Sequence, residues 1–141
     1  MKSKAPLALM EQLVMVLVFA LAAALCLQVF VLSDRMSRCN EARDRAVVAV
    51  QNAAETLKGC GGDLAESAAL CGGTWDENTW QLGYDADWAQ TESAESAYRV
   101  QAVLRGTGDP LLGSAVVTAQ DADGAALFTV TVCWQEVANG A

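Results

Sequence analysis

The longest uninterrupted apolar stretch of the chain lies near its N-terminus. From Leu13 to Leu32 every residue is apolar except Gln28, and no charged residue, glycine or proline occurs there. A helix rises about 1.5 Å per residue, so these roughly 20 residues match a hydrocarbon core of about 30 Å. The pattern predicts a transmembrane helix over residues 7–32, with the lipid bilayer as its partner.

Three alternatives to a retained transmembrane span are less well matched. Lys2 and Lys4 form a basic start, but secretory signals have apolar regions of about 7–15 residues, and no small-residue cleavage site follows Leu32. Lipoprotein processing at Cys26 is disfavoured by Leu25, which stands where a small residue is needed. A buried core helix is disfavoured because a domain of this size has too little other apolar surface to surround it.

The helix is predicted to continue past the apolar stretch. No glycine or proline occurs between Leu7 and Lys58, and residues 33–58 are rich in good helix formers. Apolar residues recur every three or four positions along this part and define one stripe, in which Arg43 occupies one position. The stripe is Met36, Cys39, Arg43, Val47, Val50, Ala54 and Leu57. Residues 33–58 are therefore predicted to form an amphipathic continuation, ending at Lys58–Gly62 with a glycine cap.

A second, shorter helix is predicted at Asp63–Leu70. Asp63 can serve as its N-cap, and Glu66 follows three residues later, close to a capping box. From Thr74 to Glu95 the pattern is irregular, which predicts a loop with one strand around Thr79–Tyr84.

Antiparallel strands are predicted in the C-terminal third of the chain. Apolar alternation and turn residues give three of them: Tyr98–Leu104, Ser114–Gln120 and Leu127–Glu136. Asp121–Gly124 is predicted to be the hairpin turn before the last strand. That strand has an apolar face (Phe128, Val130, Val132 and Trp134) and a polar face. Such a sheet needs a helix to cover it. We therefore predict an α+β fold, with the long N-terminal helix packed on a small antiparallel sheet and residues 59–141 forming one domain.

The acidic balance of the chain bears on location and partners. The net charge is −8, and from Gly59 onward there are twelve acidic residues against only Arg99 and Arg105. Such a domain has no electrostatic attraction to nucleic acid, and direct nucleic-acid binding is not expected. The composition favours an extracytoplasmic domain and a cytoplasmic N-terminus. The positive-inside count alone does not decide this, because the arginines of residues 35–45 outnumber Lys2 and Lys4 but alternate with acids.

The sequence offers little catalytic chemistry. It has no histidine, no phosphate-binding loop and no nucleophile elbow, so we expect neither an enzyme nor a cofactor. Asp121–Gly124 is similar to the start of a calcium loop, but the later ligand positions hold Ala125, Ala126 and Leu127, so no metal site is expected. Turn acids are the better interpretation of this segment.

The cysteines and tryptophans leave alternatives open. Cys60 and Cys71 each border a Gly-Gly pair next to the short helix, which makes them a candidate disulfide; two buried thiols are the alternative. A structural role is expected for Trp134, whereas the other tryptophans are equally compatible with core packing and with a recognition surface.

The segment from Leu7 to Val14 resembles the start of a type IV pilin or pseudopilin. In that family a short basic leader precedes a hydrophobic helix with a lone glutamate at the fifth mature position, and Glu11 matches if Leu7 is the first mature residue. Residues 1–6, with two lysines, then match the leader. The resemblance makes Pro6 and Leu7 the candidate processing site. The sequence departs from the family there, because Pro6 replaces the glycine that normally ends the leader.

What the resemblance implies can be stated as expectations. The chain would be a non-catalytic minor pilin or pseudopilin of a type IV pilus, a type II secretion system or a DNA-uptake apparatus. Its partners would be other pilin-like subunits, through the N-terminal helix, and a prepilin peptidase. Glu11 would act in subunit assembly; alternatively, it lies at headgroup level beside Gln12. The other interpretation of the whole chain is a membrane-tethered extracytoplasmic binding or accessory module unrelated to pili.

Overall fold

The computed structural model describes residues 4–92 and 96–136 and has an α+β fold, as predicted. The chain divides into two compact units, Met1–Asn40 and Glu41–Ala141, and the long helix contributes to both. The helices are α1 (Ala5–Gly59) and α2 (Leu64–Cys71). The strands are β1 (Thr74–Trp75), β2 (Thr79–Tyr84), β3 (Gln90–Thr91), β4 (Tyr98–Arg105), β5 (Leu112–Asp121) and β6 (Ala126–Gln135).

The long helix ends at the predicted glycine cap. Gly61 has a φ of 62°, and its N–H donates to the carbonyl of Lys58. The N–H of Gly62 donates to the carbonyl of Leu57 at 2.9 Å. This pair of bonds is a Schellman motif, which satisfies two carbonyls that would otherwise lack partners at the helix end.

The buried stripe of α1 differs in part from the predicted one. Its buried residues are mostly alanines: Ala46, Ala49, Val50, Ala53, Ala54 and Leu57. Met36, Cys39 and Arg43 are exposed, so the predicted stripe was wrong in its first half. The reason is the extent of the core, which includes helix residues only from Ala46 onward. The exposed face carries the expected i,i+4 ion pairs, Arg38–Asp34 and Arg45–Glu41.

The short helix forms as predicted. Asp63 is its N-cap, and the Asp63 carboxylate accepts hydrogen bonds from the N–H groups of Ala65 and Glu66 at 2.9 and 3.1 Å. Ser67 is fully buried, and its hydroxyl donates to the carbonyl of Asp63 at 2.7 Å.

All strand pairs are antiparallel, in the order β1-β2-β4-β5-β6, and β3 also pairs with β2. The predicted strand at Thr79–Tyr84 is confirmed as β2, and the three C-terminal strands are confirmed with small changes of boundary. The irregular segment holds two additional strands, β1 and β3, of only two residues each. Strands this short carry no alternation that a sequence pattern can show.

The core lies between the sheet and the C-terminal part of α1. In β5, Ala115, Val117 and Ala119 are fully buried and face the helix stripe within one apolar cluster. In β6 the predicted faces are confirmed: Trp134 and the valines lie on the core side, and Thr129 on the exposed side. A sheet with one apolar face is thus covered by the amphipathic part of the helix.

Candidate functional site

The apolar stretch of α1 is exposed along its whole length. The most apolar 18-residue window has a mean hydropathy of 2.8, and none of it is buried in the structure. The exposed fraction is 71% for Leu13, 76% for Phe19 and 73% for Phe30. The chain therefore has a helix near its N-terminus that is long and apolar enough to cross a membrane. The side chains of this apolar stretch do not contribute to the described core, which includes α1 only from Ala46 onward.

The candidate processing site lies in the first turn of this helix. Because α1 begins at Ala5, both Pro6 and Leu7 are helical, and the N–H of Ala8 donates to the carbonyl of Lys4 at 3.2 Å. Proline is tolerated in a first turn because its missing N–H would have no intrahelical partner there. A peptidase that cut after Pro6 would have to unwind this turn, since proteolysis needs an extended backbone.

Glu11 is exposed and lies one helical turn beyond Leu7. It is the only charged residue between Lys4 and Asp34. A carboxylate in this setting is costly in hydrocarbon unless it is paired or reaches the interface. The role of Glu11 in assembly stays a prediction.

The candidate disulfide cysteines lie at one end of the domain as free, half-buried thiols. The sulfur of Cys71 is 3.3 Å from the hydroxyl of Thr56, whose carbonyl accepts a hydrogen bond from the N–H of Cys60. Cys71 therefore packs against the last turn of α1, one turn before Cys60. Their pairing under oxidising conditions stays a prediction.

An aromatic cluster joins β2, β4 and the turn between β2 and β3. The ring of Trp88 stacks on Tyr98, with centroids 4.3 Å apart and an interplanar angle of 14°, and lies 5.6 Å from Tyr84. Burial raises the pKa of the Tyr84 hydroxyl above its usual value, and the nearby charge of Cys71 adds to the effect. The Trp88 backbone has a φ of 61°, in the left-handed region that favours glycine.

The turn that holds Trp88 has a counterpart elsewhere in the chain. In Asp85–Ala89, the Asp85 carboxylate accepts from the N–H groups of Asp87 and Ala89, and the N–H of Trp88 donates to the Asp85 carbonyl. Asp121–Ala125 repeats these hydrogen bonds, with Gly124 in the place of Trp88 and a φ of 83°. The carboxylates of Asp85 and Asp121 thus accept backbone hydrogen bonds that stabilise the turns, as predicted for Asp121–Gly124. No group of three metal-ligating side chains occurs among the described residues.

Two of the four tryptophans, Trp80 and Trp134, are buried in the core. Trp134 is 6% exposed, which confirms its structural role, and its indole lies against Gly113 and Gly62. Trp80 is 1% exposed, and its Nε1 donates to the carbonyl of Gly72 at 2.9 Å, so it links β2 to the end of α2. Sequence reasoning left Trp80 undecided. The signal that could have placed it is its position in β2 with Leu82 two residues later, on one face of the strand.

Comparisons with protein-family models, with curated proteins and with solved structures found no match to this chain.

Proposed function

We propose that α1 anchors this chain in a membrane, and that the chain is a non-catalytic, pilin-like subunit of a type IV pilus, type II secretion or DNA-uptake apparatus. The observation that carries the proposal is the exposure of α1 before the core begins. Seventeen large apolar side chains between Leu7 and Leu32 are exposed. Leaving them in water would cost on the order of tens of kcal/mol, since each contributes about 1.5–3 kcal/mol when buried. Lipid tails and neighbouring apolar helices are the environments that cover such a helix.

The second part of the helix supports the pilin-like assignment over a simple anchor. α1 runs without a break from the apolar stretch into the part that packs on an antiparallel sheet. The pilin plan has this continuity, with the same helix serving the membrane and the domain core. Glu11 is the residue we assign to assembly, through an ion pair with the N-terminal amine of a neighbouring subunit.

The proposal places the N-terminus in the cytoplasm and the acidic domain outside it. Cys133 is exposed, so it reports the location of the domain when it is the only cysteine left. A membrane-impermeant maleimide should label it in intact cells. A matched variant with its only cysteine at Ser3→Cys, expressed without a prepilin peptidase so that residues 1–6 are retained, should be labelled only after lysis. The reverse pattern would contradict the orientation.

Pro6 supports a second candidate function, a membrane-tethered binding or accessory module outside any pilus. The prepilin peptidase normally cuts after glycine, and proline both restricts the backbone and removes an amide at that position. A chain that is never cut keeps its leader and is not incorporated by the usual route. The membrane anchor would remain in that case.

Intact-mass measurement of the membrane-extracted chain, co-expressed with a prepilin peptidase, separates the two candidates. The pilin-like proposal predicts a mass that lacks Met1–Pro6, with or without an added methyl group. Pro6→Gly is the matched control, because it restores the residue that the peptidase prefers. Cleavage of that variant alone would show an active enzyme that rejects the natural chain, and would favour the tethered module.

A further inference from the structure

The two edges of the sheet are built differently. On one side, β2 is covered by the two-residue strands β1 and β3, and acidic residues flank this edge. On the other side, β6 runs for ten residues and pairs, within the described part of the chain, only with β5. Proteins usually protect an edge with charge, proline or short strands. β6 contains no charged residue and no proline, so it lacks these protections.

The direction of the free backbone groups of β6 follows from one hydrogen bond. The N–H of Glu136 donates to the carbonyl of Leu111, in register with the β5–β6 ladder. Backbone groups point to alternate sides along a strand, so the even-numbered residues from Phe128 to Trp134, beyond the register shift near the start of β6, bond to β5. The N–H and C=O groups of the odd-numbered residues point away from the sheet: Thr129, Thr131, Cys133 and Gln135.

The apolar face is also incompletely covered at this edge. In β5 the core-side residues Ala115, Val117 and Ala119 are 0% exposed. Their direct partners across the ladder on β6 are Val132, Val130 and Phe128, and these are only partly buried. The burial of core-side residues therefore decreases from β5 to β6. An additional strand beside β6 would extend the same apolar face.

We propose that the free edge of β6 binds an extended segment of a different protein, which adds to the sheet as a further strand. Main-chain hydrogen bonds would supply the affinity, and alternate apolar side chains would lie beside Val130 and Val132. Acidic residues stand at both ends of β6, with Asp121 and Asp123 before it and Glu136 after it. The segment that fits has an uncharged, β-branched centre and basic residues at its ends.

A second copy of this chain fits the edge poorly. Antiparallel pairing of two β6 strands requires a two-fold axis normal to the sheet, which reverses the direction of the packed part of α1. This pairing also brings Asp123 of one chain close to Glu136 of the other, and like charges at both ends of the paired strands oppose it. Head-to-tail pairing would instead use the opposite edge, where β1 and β3 are two residues long.

The test uses the full chain in detergent micelles and an acetylated, amidated peptide, Lys-Lys-Val-Thr-Val-Thr-Val-Thr-Lys-Lys. Saturating peptide should slow amide exchange at least tenfold at Thr129, Thr131 and Cys133, whereas the amides of Val130 and Val132 are already bonded to β5. A peptide N-methylated at alternate residues, and one with glutamates at its ends, should each bind at least tenfold more weakly. Unchanged exchange at the odd-numbered residues with about 1 mM peptide, a concentration that detects even weak complexes, would overturn the proposal.

A pair of proline variants separates the edge from the fold. Thr131→Pro removes an outward N–H and should abolish peptide binding while the domain still unfolds cooperatively, since proline is compatible with an edge. Val130→Pro removes a ladder bond and should destabilise the domain. If Thr131→Pro does not fold, Thr131→Lys tests the same edge without removing the amide. Undiminished peptide binding by the folded variant would refute the proposal. Protection of the Thr129, Thr131 and Cys133 amides that rises with protein concentration in the absence of peptide would also refute it, because a second copy would then be the occupant. Neither result depends on assembly into a pilus.

Discussion

Replacing Trp88 by glycine should destabilise the domain, although glycine suits the backbone of this turn better. The left-handed conformation costs an L-residue about 1–2 kcal/mol, which the substitution would recover. Against this stand two ring contacts, to Tyr98 and Tyr84, of about 0.5–1.5 kcal/mol each. Trp88 is half-buried, and about 100 Å² of indole removed from water contributes about 2.5 kcal/mol. The balance is a loss of about 3 kcal/mol for Trp88→Gly.

The second turn of the same geometry supplies the control. A Cβ at Gly124 meets no atom within 4 Å, so Gly124→Ala reports the backbone cost alone, about 1 kcal/mol. Denaturant unfolding of the full chain in micelles, followed by far-ultraviolet circular dichroism, measures both free energies of unfolding. If Trp88→Gly raised the free energy of unfolding, the ring contacts would be worth less than the strain, and the reasoning would be refuted.

Three further predictions concern the domain. Asp63→Ala should lower the free energy of unfolding by about 1 kcal/mol, because two N–H groups of α2 lose their acceptor. Asp63→Asn keeps a side-chain oxygen as acceptor and should retain most of this stability. An equal loss in both variants would contradict the capping role. Gly113→Ala should cost about 1–3 kcal/mol in the same unfolding assay, because its Cβ would overlap the indole of Trp134; Gly106→Ala, which meets no neighbour, should be nearly neutral. Burial raises the pKa of Tyr84, so its contribution to stability is present below the unfolded pKa of about 10 and is lost as the pH rises through the folded pKa. Unfolding free energy measured across this alkaline range should therefore fall less steeply for Tyr84→Phe than for the natural chain, and parallel curves would count against it.

Much of the fold could be predicted because local signals and tertiary packing agree. Asp63 is both a good N-cap and the observed one, and the glycines after Lys58 form the expected cap. From Phe128 to Gln135 the last strand alternates between core-side and exposed positions, so the faces of this part follow from the sequence alone. In each case residues that are close together in the sequence determine the local structure.

The rest could not be predicted, since it depends on contacts that are distant in sequence. Alanine is neither strongly apolar nor polar, so the sequence does not mark Ala46 and Ala53 as buried positions. Met36 and Cys39 are more strongly apolar and were predicted to be buried, but both are exposed. The turn at Trp88 lacks the glycine that marks its counterpart at Gly124, because aromatic contacts replace local preference. Of the candidate site, the sequence indicates the apolar helix and the position of Glu11, but not what lies beside them.

The most direct test of membrane assembly is crosslinking within native membranes. A photoreactive residue in place of Phe19, which is 76% exposed on the apolar part of α1, samples whatever covers the helix. Assembly as a pilin-like subunit predicts crosslinks to the apolar helices of other pilin-like subunits, identified by mass spectrometry. These should be lost with Glu11→Gln and retained with Gln28→Leu, which removes a different polar residue of the span. Crosslinks to lipid alone, or a pattern unchanged by Glu11→Gln, would contradict assembly through α1 and Glu11.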